Sequence, residues 1–100
     1  MEPKETLKKL LLIINPKAGR MKSKQKLFQI ANEFCSLGYQ VTLQPTTKPG
    51  DATEIVKNFG ENFDLLACCG GDGTLNEVTA GIMELDNPPP VGYIPTGTTN

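Results

Sequence analysis

The sequence predicts an α/β fold: a Rossmann-like parallel sheet with helices on both faces. Three observations predict it. Strand-like and helix-like segments alternate along all 100 residues. The first strand, with Leu10-Leu11-Leu12-Ile13-Ile14, is apolar without alternation, as expected of a strand covered on both faces. The most polar Gly-, Pro- and Thr-rich stretches follow the strands, as in sheets whose parallel strands are joined by right-handed helical crossovers.

The first strand is expected over Leu7–Ile14, broken by Asn15-Pro16-Lys17-Ala18-Gly19. Ser23–Leu37 carries Leu27, Ile30, Ala31, Phe34 and Leu37 at helical spacing, and Gly38 stops it. Tyr39–Leu43 alternates Val41 and Leu43 with polar residues, which suits a strand near the sheet edge. After the loop Pro45–Gly50, Asp51 is expected to cap a second helix, with Glu54 placed for a capping-box-like start. Ala52, Ile55, Val56 and Phe59 make its buried stripe, and Gly60 ends it. Asp64–Cys69 reads as a buried strand. The third helix is expected from Thr74 to about Leu85, with Leu75, Val78, Thr79 and Ile82 at helical spacing. A stiff linker, Asp86-Asn87-Pro88-Pro89-Pro90, leads to a fourth strand, Val91–Ile94, and the turn Pro95–Asn100.

Between the third strand and third helix lies Gly70-Gly71-Asp72-Gly73-Thr74-Leu75-Asn76-Glu77-Val78. A glycine-rich strand-to-helix turn aims backbone N–H groups and the positive end of a helix dipole at one spot, which suits a phosphate. Glycine permits positive φ and close approach of a ligand to the backbone. Asp72 repels a bare phosphate, so it is expected to meet a ligand through a metal ion, a water or a hydroxyl proton. The bland alternative is a tight turn that is merely glycine-rich. The polar groups at Asp72, Thr74, Asn76 and Glu77 favour a nucleotide or phosphate site. In a parallel sheet the loops at the strands' carboxyl ends share one edge, where ligands bind. Asn15–Gly19, Pro45–Gly50, Gly70–Thr74 and Pro95–Asn100 all leave that edge.

Composition is that of an ordinary soluble domain, with 38% apolar and 21% charged residues. No apolar run approaches membrane-spanning length. The acidic start Met1-Glu2-Pro3-Lys4-Glu5 lacks an apolar signal segment, which makes the cytoplasm the expected location. Three cysteines, two of them the neighbours Cys68 and Cys69, read as buried thiols in a reducing compartment. With no histidine, Ser-His-Asp and Cys-His catalysis and Cys/His zinc sites are excluded within this sequence. Net charge is −1 but uneven, with lysines and Arg20 dense from Lys17 to Lys26. That stretch reads equally as a solvated loop or as an anion-facing rim for a nucleotide tail or membrane surface. The absence of interleaved aromatics and the slight acidity disfavour nucleic acid.

Three motifs at strand ends, Asn15-Pro16-Lys17-Ala18-Gly19, Gly70 to Val78 and Pro95-Thr96-Gly97-Thr98-Thr99-Asn100, together resemble the amino-terminal half of the diacylglycerol kinase catalytic family. A looser match is Thr46 ahead of Gly50-Asp51-Ala52-Thr53. That family includes bacterial lipid kinases and eukaryotic diacylglycerol, sphingosine and ceramide kinases. The middle motif is shared with NAD kinases and, loosely, with 6-phosphofructokinases, whose amino-terminal domains have the expected fold. The resemblance implies ATP-dependent phosphoryl transfer to a lipid hydroxyl such as that of diacylglycerol, with Mg²⁺. It implies that Asn15, Pro16, Lys17, Ala18, Gly19 and Thr46 contact the nucleotide. Gly70, Gly71, Asp72, Gly73 and Thr74 would meet its phosphates, supported by Asn76 and Glu77. Gly97 and Thr98 would close the phosphate or ribose side. Asp72 would either hold the metal–phosphate assembly or orient or deprotonate the acceptor hydroxyl, and sequence does not separate the two.

The family's second domain is a β-sandwich that supplies the lipid pocket and, in bacterial members, a carboxylate base and metal ligands. This sequence has no counterpart to it and stops at Asn100, inside the third motif. The expectation is a truncated nucleotide-binding domain, inactive alone, with exposed apolar surface and self-association or marginal stability. The full protein would reach its lipid at a membrane surface as a peripheral protein. Two other readings compete: a NAD kinase or sugar-kinase relative, and a non-catalytic nucleotide-binding module.

Overall fold

The computed structural model describes residues 7–17 and 24–95. In chain order the elements are β1 (Lys8–Ile14), α1 (Lys24–Ser36), β2 (Tyr39–Pro45), α2 (Asp51–Phe59), β3 (Leu65–Gly70), α3 (Asp72–Ile82) and β4 (Val91–Pro95), with a 3₁₀ turn at Gly60–Asn62. The four strands form one parallel sheet in the order β2-β1-β3-β4. The alternating strand β2 does take an edge.

The unbroken apolar run in β1 is explained by its central place. From Leu10 to Ile14 every residue is at most 2% exposed. Successive side chains go to opposite faces. Leu11 and Ile13 join Leu66 and Cys68 beneath Ala52, Ile55 and Val56 of α2 and Val78 of α3. Leu10, Leu12 and Ile14 join Ala67 and Cys69 beneath Leu27, Ile30 and Phe34 of α1. Full burial of each large aliphatic side chain contributes about 1.5–3 kcal/mol, so this strand anchors both layers.

Gly38 stops α1 as expected, at φ 96°. Leu37 falls beyond the last helical residue and is 74% exposed instead of facing the core. Gly60 ends α2 as expected, as its C-cap, and a 3₁₀ turn follows; Phe59, expected on the buried stripe, is instead 51% exposed at that helix end. Gly60 itself is buried against Leu85 and Val56, where a Cβ would lie 2.9 Å from Leu85 Cδ1. The third helix begins two residues before the expected Thr74 and ends at Ile82. Thr79 is exposed on it and donates its hydroxyl to Leu75 O.

Candidate functional site

The strand register aligns three chain exits. Ile14 is paired with Pro45 on one side and with Cys69 on the other. The next residues, Asn15, Thr46 and Gly70, therefore stand side by side at the carboxyl end of the sheet. Two bonds extend the ladder past the strands: Thr46 N–H donates to Ile14 O at 2.8 Å, and Asn15 N–H donates to Cys69 O at 3.2 Å. The helix after β1 covers one face and the helix after β3 covers the other. The crevice between these strands is thus a topological switch point, where open α/β sheets bind ligands.

A groove of about 620 Å³ opens there, lined by Asn15, Pro16, Lys17, Thr46, Thr47, Lys48, Pro49, Gly73, Thr74 and Glu77. Seven of the expected site residues meet in it: Asn15, Pro16, Lys17, Thr46, Gly73, Thr74 and Glu77. Gly71 and Asp72 are exposed at the start of α3, Gly70 is buried in β3, and Asn76 is exposed and does not line the groove. Ala18, Gly19, Gly97 and Thr98 lie outside the described residues. Thr47, Lys48 and Pro49 were not singled out from sequence, although they belong to a loop expected at this edge.

The Asn15 wall is held by a short local turn, in which Asn15 Oδ1 accepts from Lys17 N–H at 3.0 Å. The glycine wall differs from expectation in its backbone. None of Gly70, Gly71 and Gly73 has positive φ. Gly71 is the N-cap of α3, in an extended conformation (φ −93°, ψ −170°) open to any residue. Its glycine, like Gly73, has space: a Cβ at either would meet nothing within 4 Å. Gly70 is a packing requirement, since a Cβ there would lie 2.8 Å from Thr74 Oγ1.

Two helix N-termini border the groove, and they are treated differently. That of α2 is already satisfied. The Glu77 carboxylate accepts from Gly50 N–H at 3.0 Å through Oε2 and from Ala52 N–H at 3.2 Å through Oε1. The expected capping by Asp51 and Glu54 does not occur. Gly50 is the N-cap, at φ 83°. Asp51 instead turns back to accept from the N–H and hydroxyl of Thr47, at 2.8 and 3.1 Å. The Thr47 amide bond is the main cause holding the Asp51 carboxyl below the usual range, helped by its hydroxyl and Lys48 against partial desolvation. Glu54 pairs with Lys57 at 3.7 Å in solvent. The N-terminus of α3, by contrast, has no side-chain cap. Beside it Thr74 is only 7% exposed, and its hydroxyl has no hydrogen-bond partner among the described residues. A buried hydroxyl on a residue that lines a groove, without a partner among the described residues, is one that a ligand oxygen or a water would satisfy. Lys17 and Lys48 also line the groove, the Lys48 ammonium paired with Asp51 at 3.6 Å, so the groove offers N–H and O–H donors and ammonium charge to an anion.

The chain also has counterparts among known proteins. The model of the diacylglycerol kinase catalytic domain matches residues 9–100. A diacylglycerol kinase of Bacillus subtilis (strain 168) is 44% identical over 95 residues, covering 94% of this chain and 31% of the relative. One from Staphylococcus aureus (strain MRSA252) is 43% identical over 94 residues, covering 93% and 30%. The crystal structure of a diacylglycerol kinase from Bacillus anthracis str. Sterne superposes with a TM-score of 0.81 at 33% identity, over 98% of this chain and 33% of that one. The chain therefore spans about a third of the length of these relatives. With the family's signature covering nearly every residue and a solved member sharing its sheet, this chain belongs to the diacylglycerol kinase catalytic domain family.

Proposed function

We propose that this chain is the ATP-binding part of a lipid kinase that transfers the γ-phosphate of ATP to the hydroxyl of diacylglycerol or a similar lipid. One observation carries the reading: the start of α3, without a side-chain cap, and the Thr74 hydroxyl beside it, without a partner among the described residues, on a groove lined by Asn15–Lys17, Thr46 and the glycine turn's Gly73 and Thr74. The Gly71–Thr74 amides and the Thr74 hydroxyl take the phosphate oxygens. Gly71 and Gly73 let them approach the backbone. Asn15, Pro16, Lys17 and Thr46 line the path of the rest of the nucleotide. Phosphoryl transfer asks the protein chiefly for positioning and charge neutralisation, and such a groove supplies both.

Among the described residues no group of three or more His, Cys, Asp or Glu could hold a metal by itself. A single carboxylate, Asp72, suits a Mg²⁺ ion that arrives with the phosphates and keeps most of its waters. When bound, that ion neutralises phosphate charge. The lipid acceptor and a peripheral approach to the cytoplasmic membrane surface belong to the same proposal. Among the described residues no helix is long and apolar enough to cross a membrane.

The test is a calorimetric titration of Mg·ATP into the 100-residue chain, with GTP and NAD alongside and circular dichroism to verify folding. Saturable ATP binding, weaker for NAD, is expected. Absence of ATP binding by the folded chain overturns the proposal, and tighter binding of NAD moves the chain to a dinucleotide substrate.

A further inference from the structure

Glu77 is an odd residue to find on a groove built for an anion. Its charge would repel a phosphate if it faced one. The carboxylate is instead spent inside the protein, with both oxygens engaged by the Gly50 and Ala52 amides at 3.0 and 3.2 Å. The same residue's backbone is held as well, because Thr53 Oγ1 donates to Glu77 O at 2.7 Å. One turn further along α3, Gly81 brings the two helices into close contact. A Cβ there would lie 2.7 Å from Val56 Cβ and 2.9 Å from Thr53 O. Glu77 and Gly81 are four residues apart on one face of α3, so they act on the same interface.

The partners of Glu77 lie 25 and 27 residues away in sequence, and they start the helix that follows the Thr46–Gly50 loop. That loop forms one wall of the groove, and α3 carries the glycine turn of another. We propose that Glu77 is a positioning residue: an internal anion that fills the N-terminus of α2, locks the Thr46–Gly50 wall to α3 and leaves the α3 N-terminus as the place for phosphate. The proposal rests on the nucleotide reading for its effect on binding, but the lock itself does not. The physical ground is general. A helix N-terminus with free N–H groups attracts an anion, and a carboxylate already held there removes that attraction. Without Glu77, two N-termini would compete for the phosphates and one wall would lose its tie to the other.

The test compares Glu77→Ala and the milder Glu77→Gln with wild type in two measurements. The first is Mg·ATP affinity by calorimetry. The second is amide hydrogen exchange at Gly50 and Ala52 by NMR without nucleotide. For Glu77→Ala the expected results are a loss of affinity of about tenfold or more, the scale of a lost hydrogen bond to a charged group, and faster exchange at both amides. Glu77→Gln, with one oxygen left to accept, falls between. Acetate in the buffer, against chloride at equal ionic strength, should restore part of the affinity of Glu77→Ala and none in wild type. Unchanged exchange at Gly50 and Ala52 overturns the lock. Lower affinity with unchanged exchange means that Glu77 meets the nucleotide directly, which also overturns it. If wild type binds no ATP, the nucleotide reading fails, and the exchange rates alone decide the lock.

Discussion

The hydroxyl of Tyr93 donates a hydrogen bond of 3.0 Å to the carbonyl oxygen of Gly70. Tyr93 sits on β4 opposite Cys68, so its side chain runs along β3 to Gly70, the first residue of the glycine turn. It thus ties the fourth strand to the point where α3 begins. Partial burial, then the nearby Asp72 carboxylate, then Cys68, raise the Tyr93 phenol above its ordinary value. A raised phenol favours the neutral, donating form in the folded state. Its contribution to stability is whole below the ordinary tyrosine range and is lost as pH rises through the folded value. Two outcomes are expected. Tyr93→Phe, which loses the bond to Gly70 O, lowers the urea midpoint. Asp72→Asn lowers the Tyr93 titration midpoint, followed by ring carbon NMR. A midpoint unmoved by Asp72→Asn would separate the two residues electrostatically.

Neighbouring glycines of the turn should answer differently to a side chain. Gly71→Val places its Cβ in open space on an extended backbone. It should leave the far-UV circular dichroism spectrum and urea midpoint intact while abolishing ATP binding. Gly70→Ala forces a Cβ to within 2.8 Å of Thr74 Oγ1. Overpacking of this kind costs about 1–3 kcal/mol, which chemical denaturation would register directly. Equal ATP affinity in Gly71→Val removes the turn from the site.

The close approach of α2 and α3 at Gly81 makes a second steric prediction. Gly81→Ala puts a Cβ against Val56 and the Thr53 carbonyl, and backbone cannot give way as a flexible side chain can. Despite the better helix propensity of alanine, the variant should be less stable by about 1–3 kcal/mol. The thermal midpoint checks it: a rise would mean that the helices separate freely.

The three thiols should divide sharply by reactivity. Cys35 is exposed, whereas Cys68 and Cys69 are buried. Burial first, then the neighbouring Cys69, pushes the Cys68 thiol up to about 12, and burial pushes Cys69 up to about 11. The thiolate is the reacting form. An Ellman titration of the folded chain should therefore count one fast thiol, with the other two released only on unfolding. Because both buried values are raised, their neutral forms support the fold throughout the neutral range, and that support is lost only as pH rises above the ordinary thiol range. Two or more fast thiols in the folded chain would contradict the packing of β3.

Much of the fold was legible because it depends on local pattern. The unbroken run Leu10–Ile14 marked a strand covered on both faces, the alternation after Tyr39 marked a place near an edge, and Gly38 marked a helix end. The candidate site was legible in part, since Asn15, Pro16, Lys17, Thr46, Gly73, Thr74 and Glu77 do meet in one groove, whereas Gly70, Gly71, Asp72 and Asn76 do not line it. What escaped the sequence depends on distant neighbours. Asp51 and Glu54 have capping-box spacing, yet the cap of α2 comes from Glu77, which only the packing of α3 brings there. The early start of α3 was hidden because Asp72 and Gly73 are poor helix formers, tolerated in a first turn whose amides have no helical partner. Tyr93 gave one overlooked signal: a hydroxyl-bearing aromatic in a short strand leading into a polar loop.

The pairing of Ile14 with both Pro45 and Cys69 has an implication for how such a site can change. The three strands act as a common datum from which the walls are measured. Residues added to or removed from a loop alter one wall's outline and leave the others at their height. A single deletion within a strand would instead drop one wall by about 3.3 Å, more than the length of a hydrogen bond, and turn its side chains to the opposite face. Variation in what the groove accepts is therefore confined to the loops, while the strand lengths behave as a fixed gauge.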